Sequence, residues 1–271
     1  MYAVSYQDRF SGLARLYGQE ALMRFQSARV AVVGIGGVGS WVAEALARSG
    51  FENIWLIDMD DICITNTNRQ IHALQGSVGD LKVETMAARL REINPNIQVT
   101  AVMDFITMDN ITEHLQDMEF VVDAIDSVKI KAAIVAWCNR RKTPMVMIGG
   151  AGGQTDPTRI TVGDLNKTYN DPLARKVRSI LRREYGFSRN EKRNYGIACV
   201  YSTEQLIYPQ PDGSVCQQKQ FIDGTVKLDC SGGIGASTMV TASFGMVAAA
   251  RVAEKMAKQA NAAKAKDEAS Q

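Results

Sequence analysis

Arg29-Val-Ala-Val-Val-Gly34-Ile-Gly-Gly-Val-Gly39-Ser40 is the stretch that decides the fold. Val30 to Val33 is a short, largely β-branched run, and the glycines behind it end a strand sharply. From Ser40 to Ser49 the apolar positions take helical spacing. Strand, glycine-rich turn and helix, in that order, are the context a nucleotide-binding turn requires. Gly34, Gly36, Gly37 and Gly39 let the backbone approach a phosphate, and the helix start offers free N–H groups and a positive dipole end. Asp58 closes the next apolar run, 19 residues beyond Gly39, where a carboxylate accepts a ribose hydroxyl. Taken alone, this unit fits a dinucleotide-dependent dehydrogenase and an ATP-binding protein equally well.

Outward from this turn, strand-like runs alternate with helical patterns. Further strands are predicted at Ile54 to Ile57, Gln98 to Val102, Phe120 to Val122 and Met145 to Ile148. Helices are predicted at Leu81 to Ile93, Asp109 to Gln116 and Ser127 to Arg141. Five strands and four crossings make a doubly wound, mostly parallel, Rossmann-like α/β sheet. Past Gly149-Gly-Ala-Gly-Gly153 the pattern changes: Arg159 to Val162 and Gln205 to Tyr208 read as strands of a C-terminal extension with antiparallel pairing, separated by a basic helical insertion. The organisation expected is a helical arm at 1–28, a nucleotide-binding domain at 29–153, and a C-terminal region at 154–271 with the insertion at 166–193 and a terminal helix. The tail from Lys255 has no apolar stripe after Met256 and is expected to fray.

Composition narrows the class. The 271 residues are 46% hydrophobic and 22% charged, which excludes a disordered, collagenous or coiled-coil chain. A formal net charge of +2 means that any nucleic-acid surface is local. Cys63, Cys138, Cys199, Cys216 and Cys230 lie no closer than 14 residues apart, so no CxxC pair, zinc ribbon or disulfide framework is encoded. Met1 to Phe10, with Asp8 and Arg9 and no apolar run, does not resemble a secretory signal, and a cytoplasmic protein is expected. Ser231 to Ala250 holds 20 residues without a charge, enough to span a bilayer. Nine of them are Gly, Ser or Thr, which favours a glycine loop feeding a buried small-residue helix over a membrane helix, with peripheral membrane contact the lesser alternative.

The residues after Asp58 bear on the ligand. Asp58-Met-Asp60-Asp61 leads into Asn66-Thr-Asn68-Arg69-Gln70, and Lys82 opens a helix. A dinucleotide has little use for the added Arg69 and Lys82, whereas a triphosphate needs cations where charge builds up on its bridging and leaving oxygens. The plainer alternative makes Asn66 and Asn68 a turn and leaves both cations in solvent; their joint occurrence favours the triphosphate. Asp126 comes after the strand at Phe120, at the sheet edge where ligands of such folds bind. It suits a magnesium ion held against a polyphosphate, or, with Ser127, an N-cap for the next helix.

Between Asn166 and Arg193 nine cations (Lys167, Arg175, Lys176, Arg178, Arg182, Arg183, Arg189, Lys192 and Arg193) face three acids, a local +6. Tyr169, Tyr185 and Tyr195 lie among them, available to stack on unpaired bases. An RNA surface is the favoured reading over a solvated helix face. His72 and His114 show no partner for nucleophilic or metal chemistry, and His72 is read as packing or touching RNA. Cys230 is the most loop-like thiol, with no nearby base to activate it.

Together, Gly34-x-Gly-Gly-x-Gly39-Ser40, Asp58-Met-Asp60, Asn68-Arg69-Gln70, Gly79-x-x-Lys82, Ile93-Asn-Pro95 and Asp123-x-x-Asp126 resemble the ubiquitin-activating-enzyme-like adenylylating superfamily of the ThiF, MoeB and HesA enzymes, over about residues 9–150. The resemblance implies an ATP site of Gly34, Gly36, Gly37, Gly39, Asp58, Asp60, Asn68, Arg69 and Lys82, with Asp126 on Mg²⁺. It also implies a homodimer in which Arg9 reaches the partner's ATP, so that Arg9, Arg69, Lys82 and Asp126 serve catalysis. Members that activate a sulfur-carrier protein commonly hold zinc with two CxxC pairs, and no zinc is expected here. Asn68-Arg-Gln-Ile-His-Ala73, Gly149 to Gln154, the basic insertion, Val200-Tyr-Ser-Thr-Glu204 and Asp229-Cys-Ser-Gly-Gly233 are instead similar to the tRNA threonylcarbamoyladenosine dehydratase family, across nearly the whole chain. That resemblance implies adenylation of the carboxylate of threonylcarbamoyladenosine, next to the tRNA anticodon, and then ring closure. The tRNA contacts it implies are Arg175, Lys176, Arg178, Arg182, Arg183, Arg189, Lys192 and Arg193. A monovalent cation is a secondary expectation. Two other readings stay open: activation of a sulfur carrier ending in Gly-Gly, and a nucleotide-binding scaffold in a cysteine-desulfurase sulfur relay.

Overall fold

The computed structural model describes residues 5–217 and 234–269. The β-branched runs become parallel strands β1 (Arg29–Val33), β2 (Asn53–Ile57), β3 (Gln98–Val102), β4 (Phe120–Asp123) and β5 (Met145–Ile148). β4 and β5 are buried at every residue, as unbroken apolar runs must be in a sheet covered on both faces. Four helices cross between them: α3 (Gly39–Arg48), α4 (Lys82–Ile93), α5 (Ile111–Leu115) and α6 (Val128–Arg141). α5 is shorter than its sequence pattern because Asn110 Oδ1 accepts the Thr107 N–H at 2.7 Å, holding the preceding residues in a turn.

The sheet does not stop at β5. Its order is β3-β2-β1-β4-β5-β7-β6, with β7 (Ala198–Ser202) parallel to β5 and β6 (Ile160–Asp164) antiparallel to β7. β6 fulfils the expectation at Arg159 to Val162 and takes 198–202 as its partner, while the strand expected at Gln205 to Tyr208 forms only at Tyr208. The reason is burial: Cys199, Val200 and Tyr201 form an apolar run that fits between β5 and β6, whereas Tyr208 precedes Pro209, which has no N–H for a ladder. Among the described residues, Tyr208–Pro209 (β8) pairs with Val215–Cys216 (β9) alone.

Helices cover both faces. α1 (Tyr6–Tyr17), α2 (Gln19–Ser27), α3, α4 and α8 (Thr238–Ala269) close one side; α5, α6 and α7 (Pro172–Glu184) close the other. The described part of the uncharged segment proves to be the start of α8. Val240, Phe244, Ala248, Val252 and Met256, four residues apart, form a fully buried stripe against the core shared with α2 and α3. Each of the larger of these side chains contributes about 1.5–3 kcal/mol on burial. Among the described residues no helix is long and apolar enough to cross a membrane. Beyond Lys255 the chain is helical to Ala269, as suits a stretch of Ala, Lys, Gln and other helix-tolerant residues without Gly or Pro.

Candidate active site

A cavity of about 710 Å³ lies across the carboxyl ends of β1, β4 and β5, at the point where the strand order reverses. It gathers Gly34, Gly36 and Gly37 from the turn after β1, Asp58 and Asp60 from the end of β2, Asn68, Arg69 and Lys82 from the crossover, and Asp126 from the loop after β4. Gly39 stands behind this lining as the first residue of α3, where an added Cβ would come within 1.8 Å of the Gly34 carbonyl. The tight turn therefore tolerates no side chain there. α3 starts without a side-chain cap; Ser40 N–H turns back to Gly36 O and Trp41 N–H to Val38 O, so what this end offers an anion is its positive dipole and the glycine turn ahead of it. Gln70 lines the same cavity, and its amide oxygen is buried with no hydrogen-bond partner. These features fit a bound nucleotide.

Asp58 works first on the protein. Its Oδ2 accepts the Ile35 N–H at 2.6 Å and its Oδ1 the Asp60 N–H at 2.9 Å, tying the glycine turn to the end of β2. Lys82 Nζ is 2.7 Å from Asp60 Oδ2, with the lysine side chain 8% exposed and the aspartate 55%. The cation is thus held inward while its partner stays wet. Arg69 Nη1 donates to Thr65 O and Asn68 Oδ1, both at 2.9 Å. The strip carrying it is clamped by α3 and α8: Trp41 Nε1 donates to Arg69 O at 3.0 Å and Thr238 Oγ1 to Asn68 O at 2.6 Å.

Asp126 is exposed on the cavity edge. Ser127 occupies the N-cap position of α6 but makes no side-chain cap bond, so the helix does not draw on this loop for capping. Three residues earlier, Asp123 is wholly buried, paired with Lys131 at 2.8 Å. Arg9 lies outside this cavity, exposed on α1 with Nη1 on Ile93 O at 3.0 Å.

Three parts of the site escaped sequence reasoning. Asn66, not Asn68, is the buried asparagine of the lining, with Oδ1 on the Cys63 N–H at 3.0 Å; Asn68 uses its amide on Ala236 O. Asp104 and Phe105 extend β3 onto the cavity rim. His114 does have a partner, Asp104, at 2.8 Å, and this hydrogen bond holds the Asp104 carboxyl below its ordinary range. An acid after β3 and a histidine ten residues on were the available signal. Cys230, Asp229 and Ser231 to Gly233 lie outside the described residues.

His72 is only 1% exposed, and neither ring nitrogen has a partner. It packs and does not meet RNA. Burial pushes its pKa down to about 4, helped by Lys82 and Arg89, so the folded protein keeps it neutral while the unfolded chain protonates near 6.5. Stability is therefore expected to fall as pH drops from about 6.5 toward about 4. His72→Met should reduce the loss between pH 7 and pH 4.5 by about 2–3 kcal/mol in chemical denaturation; an equal loss in both proteins would assign it to other groups.

A second cavity, about 850 Å³, runs beside α7 and is lined by Lys167, Arg175, Arg178, Arg182, Arg183 and Arg189, with Tyr169 among them. Its arginines differ in duty. Arg182 is half-buried and bridges Tyr195 OH at 3.0 Å and Asn166 Oδ1 at 2.8 Å, and Arg178 bonds Thr168 Oγ1 and Leu165 O. These two build the groove. Arg175 and Arg189 are exposed in it, and Arg183 is paired with Glu184. Lys176, Lys192 and Arg193 are exposed beside it. Of the three tyrosines, Tyr169 is the open one, at 54% exposure; Tyr195 packs edge-on against Phe187 and donates to Ser188 O.

Residues 9–267 match the model of the ThiF family, and the chain belongs to that family. It is 55% identical over 253 residues to the tRNA threonylcarbamoyladenosine dehydratase of Escherichia coli (strain K12), covering 93% of this chain and 94% of that relative. The enzyme of the same name from Haemophilus influenzae is 48% identical, with 94% and 95% covered. A crystal structure of the E. coli dehydratase in complex with ATP superposes with a TM-score of 0.84 at 50% identity, covering 97% of this chain and 99% of that one.

Proposed function

We infer that the protein is an ATP-dependent tRNA threonylcarbamoyladenosine dehydratase, acting in the cytoplasm as a homodimer. The observation that carries this reading is the adjacency of two sites, a cavity with the glycine turn, Asp58, Arg69, Lys82 and Asp126, and a basic groove sharing α7 with it. Relatives so named, aligned over nearly the full chain, support it.

A carboxylate is a poor electrophile, because its charge and its oxide leaving group resist attack. The side-chain carboxylate of threonylcarbamoyladenosine therefore attacks the α-phosphorus of ATP. A new P–O bond forms, the bond to the bridging oxygen breaks, and pyrophosphate leaves with the electron pair. The carbamoyl group then closes on the activated acyl carbon, giving up a proton, and expels AMP together with the former carboxylate oxygen, so the nucleoside has lost the elements of water. This closure is intramolecular, and well-oriented tethered groups reach effective concentrations of about 10⁵ M or more. The protein's task is chiefly to place ATP.

In this scheme the glycine turn and the start of α3 hold phosphate, and Asp58 accepts from the ribose. Arg69 and Lys82 match the charge on the departing pyrophosphate. Asp126 would hold Mg²⁺, a hard cation content with one or two carboxylates, phosphate oxygens and water; it would neutralise phosphate charge there. Arg9, facing away from its own cavity, serves the partner's. Residues 29–153 supply nucleotide binding and the C-terminal region supplies tRNA binding.

The test is mass spectrometry of nucleosides from threonylcarbamoylated tRNA incubated with protein, ATP and Mg²⁺, where ATP-dependent loss of one water is expected. An unchanged nucleoside, with pyrophosphate exchange stimulated by a small Gly-Gly-ended protein, would reassign the chain to sulfur-carrier activation. For the groove, Arg175→Glu with Arg189→Glu is expected to weaken tRNA binding and lower the slope of log affinity against log salt by about 1 per residue, with ATP binding unchanged. Wild-type salt dependence would move the RNA surface elsewhere.

A further inference from the structure

Among the described residues, α7 is the one helix that faces both cavities: Leu173, in its first turn, lines the nucleotide cavity, while Arg175, Arg178 and Arg182 line the basic groove. Buried Ala174, Val177 and Leu181 seat α7 on the core, and a buried carboxylate ties down its first turn. Asp171, in the N-cap position, takes the Ala174 N–H on Oδ1 at 2.8 Å and the Gly150 N–H on Oδ2 at 3.0 Å. Gly149 and Gly150 form the wall of the nucleotide cavity beyond β5. Their fit is close: a Cβ on Gly149 would come within 1.9 Å of Asp171 Oδ2. Burial disfavours the charged carboxylate, while the two N–H groups and the nearby Lys131 favour it.

We propose that Asp171 is a positioning residue that locks α7, and with it the basic groove, in register with the Gly149–Gly150 wall, so that RNA held in the groove presents its carboxylate to the nucleotide. This inference rests on the reading of the groove as the RNA site. Displacement of reacting groups by about 1 Å costs on the order of 100-fold in rate, and the Gly150 bond is the direct tie between the two surfaces.

Asp171→Asn keeps the cap, since asparagine caps helices as well as aspartate, but its single oxygen cannot serve both N–H groups. Two readouts are expected to separate positioning from mere folding. Affinities for ATP alone and for threonylcarbamoylated tRNA alone should stay within about 2-fold of wild type, while turnover with both saturating falls about 30-fold or more. In binding titrations, saturating tRNA should change ATP affinity about 10-fold in the wild type and less than about 2-fold in the variant. Gly149→Ala, which pushes Asp171 off Gly150 from the other side, should likewise weaken the coupling between the two ligands, and the double variant should weaken it no further than Asp171→Asn does. Wild-type turnover and coupling in Asp171→Asn would overturn the proposal. So would equal losses in either separate affinity, or an absence of coupling in the wild type. If wild-type protein couples the two ligands yet leaves the nucleoside unchanged, the proposed reaction fails, and the coupling comparison still decides the role of Asp171.

Discussion

Asp126→Ala is expected to lower ATP-dependent dehydration at least about 10³-fold with the melting temperature unchanged, the scale seen when a group that stabilises transition-state charge is removed. Both halves of this expectation come from where the carboxylate sits. Asp126 is exposed on the cavity edge, with no hydrogen bond or ion pair to the described residues, so the fold draws little on it. Surface substitutions of that kind change stability by less than about 0.5 kcal/mol. A carboxylate left open beyond the end of β4, on the lining of the same cavity as the glycine turn and Gly149–Gly150, would instead be available to hold Mg²⁺, which would neutralise phosphate charge there. Steady-state rates over a range of Mg²⁺ concentrations, beside a thermal melt, check the prediction. An active, normally melting variant would place the metal elsewhere; a large drop in melting temperature would make Asp126 structural.

The site was legible in the sequence where one residue type in one context has a single physical use. A β-branched run, clustered glycines and a helical pattern leave the chain little choice, and the strand-end acid Asp58 and the cations Arg69 and Lys82 fall into the same cavity as a consequence. Legibility failed where burial depends on distant neighbours. β7 is a five-residue run without useful periodicity, recognisable only once β5 and β6 flank it. Asn66 and Asn68 are chemically identical on paper, and only the turn built on the Cys63 N–H shows which one is inside. In the basic insertion, charge counting treats Arg182 and Arg189 alike, although the first spends its donors on Tyr195 and Asn166 and the second is free to meet a ligand.

Asp123 and Lys131 pose the same problem most sharply, because nothing in Asp123-x-x-Asp126 or in Val128-Lys-Ile-Lys131 distinguishes a buried charge from a solvated one. The fold assigns opposite roles: Asp123 and Lys131 are both 0% exposed and paired at 2.8 Å, with Lys131 Nζ also on Asp123 O at 3.1 Å. Lys131→Met is accordingly expected to cost about 3–5 kcal/mol, the usual penalty for stranding a buried charge. For a chain of this size that lowers the melting temperature by roughly 10 °C. The cost should depend on pH. Burial already raises the Asp123 pKa and Lys131 opposes that rise, so without the lysine the folded state favours the protonated acid. A raised folded pKa gives stability that is present at low pH and lost as pH climbs, and the variant should fall further below wild type at pH 7.5 than at pH 5. Lys131→Met with Asp123→Asn removes the stranded charge and should recover much of the loss. Denaturant titrations of the three proteins at both pH values test this. A single variant within about 1 kcal/mol of wild type at pH 7.5 would show that the pair is dispensable. A double variant that is stable but slow would show that the pair, beyond holding the end of β4 in place, aims Asp126 three residues further on.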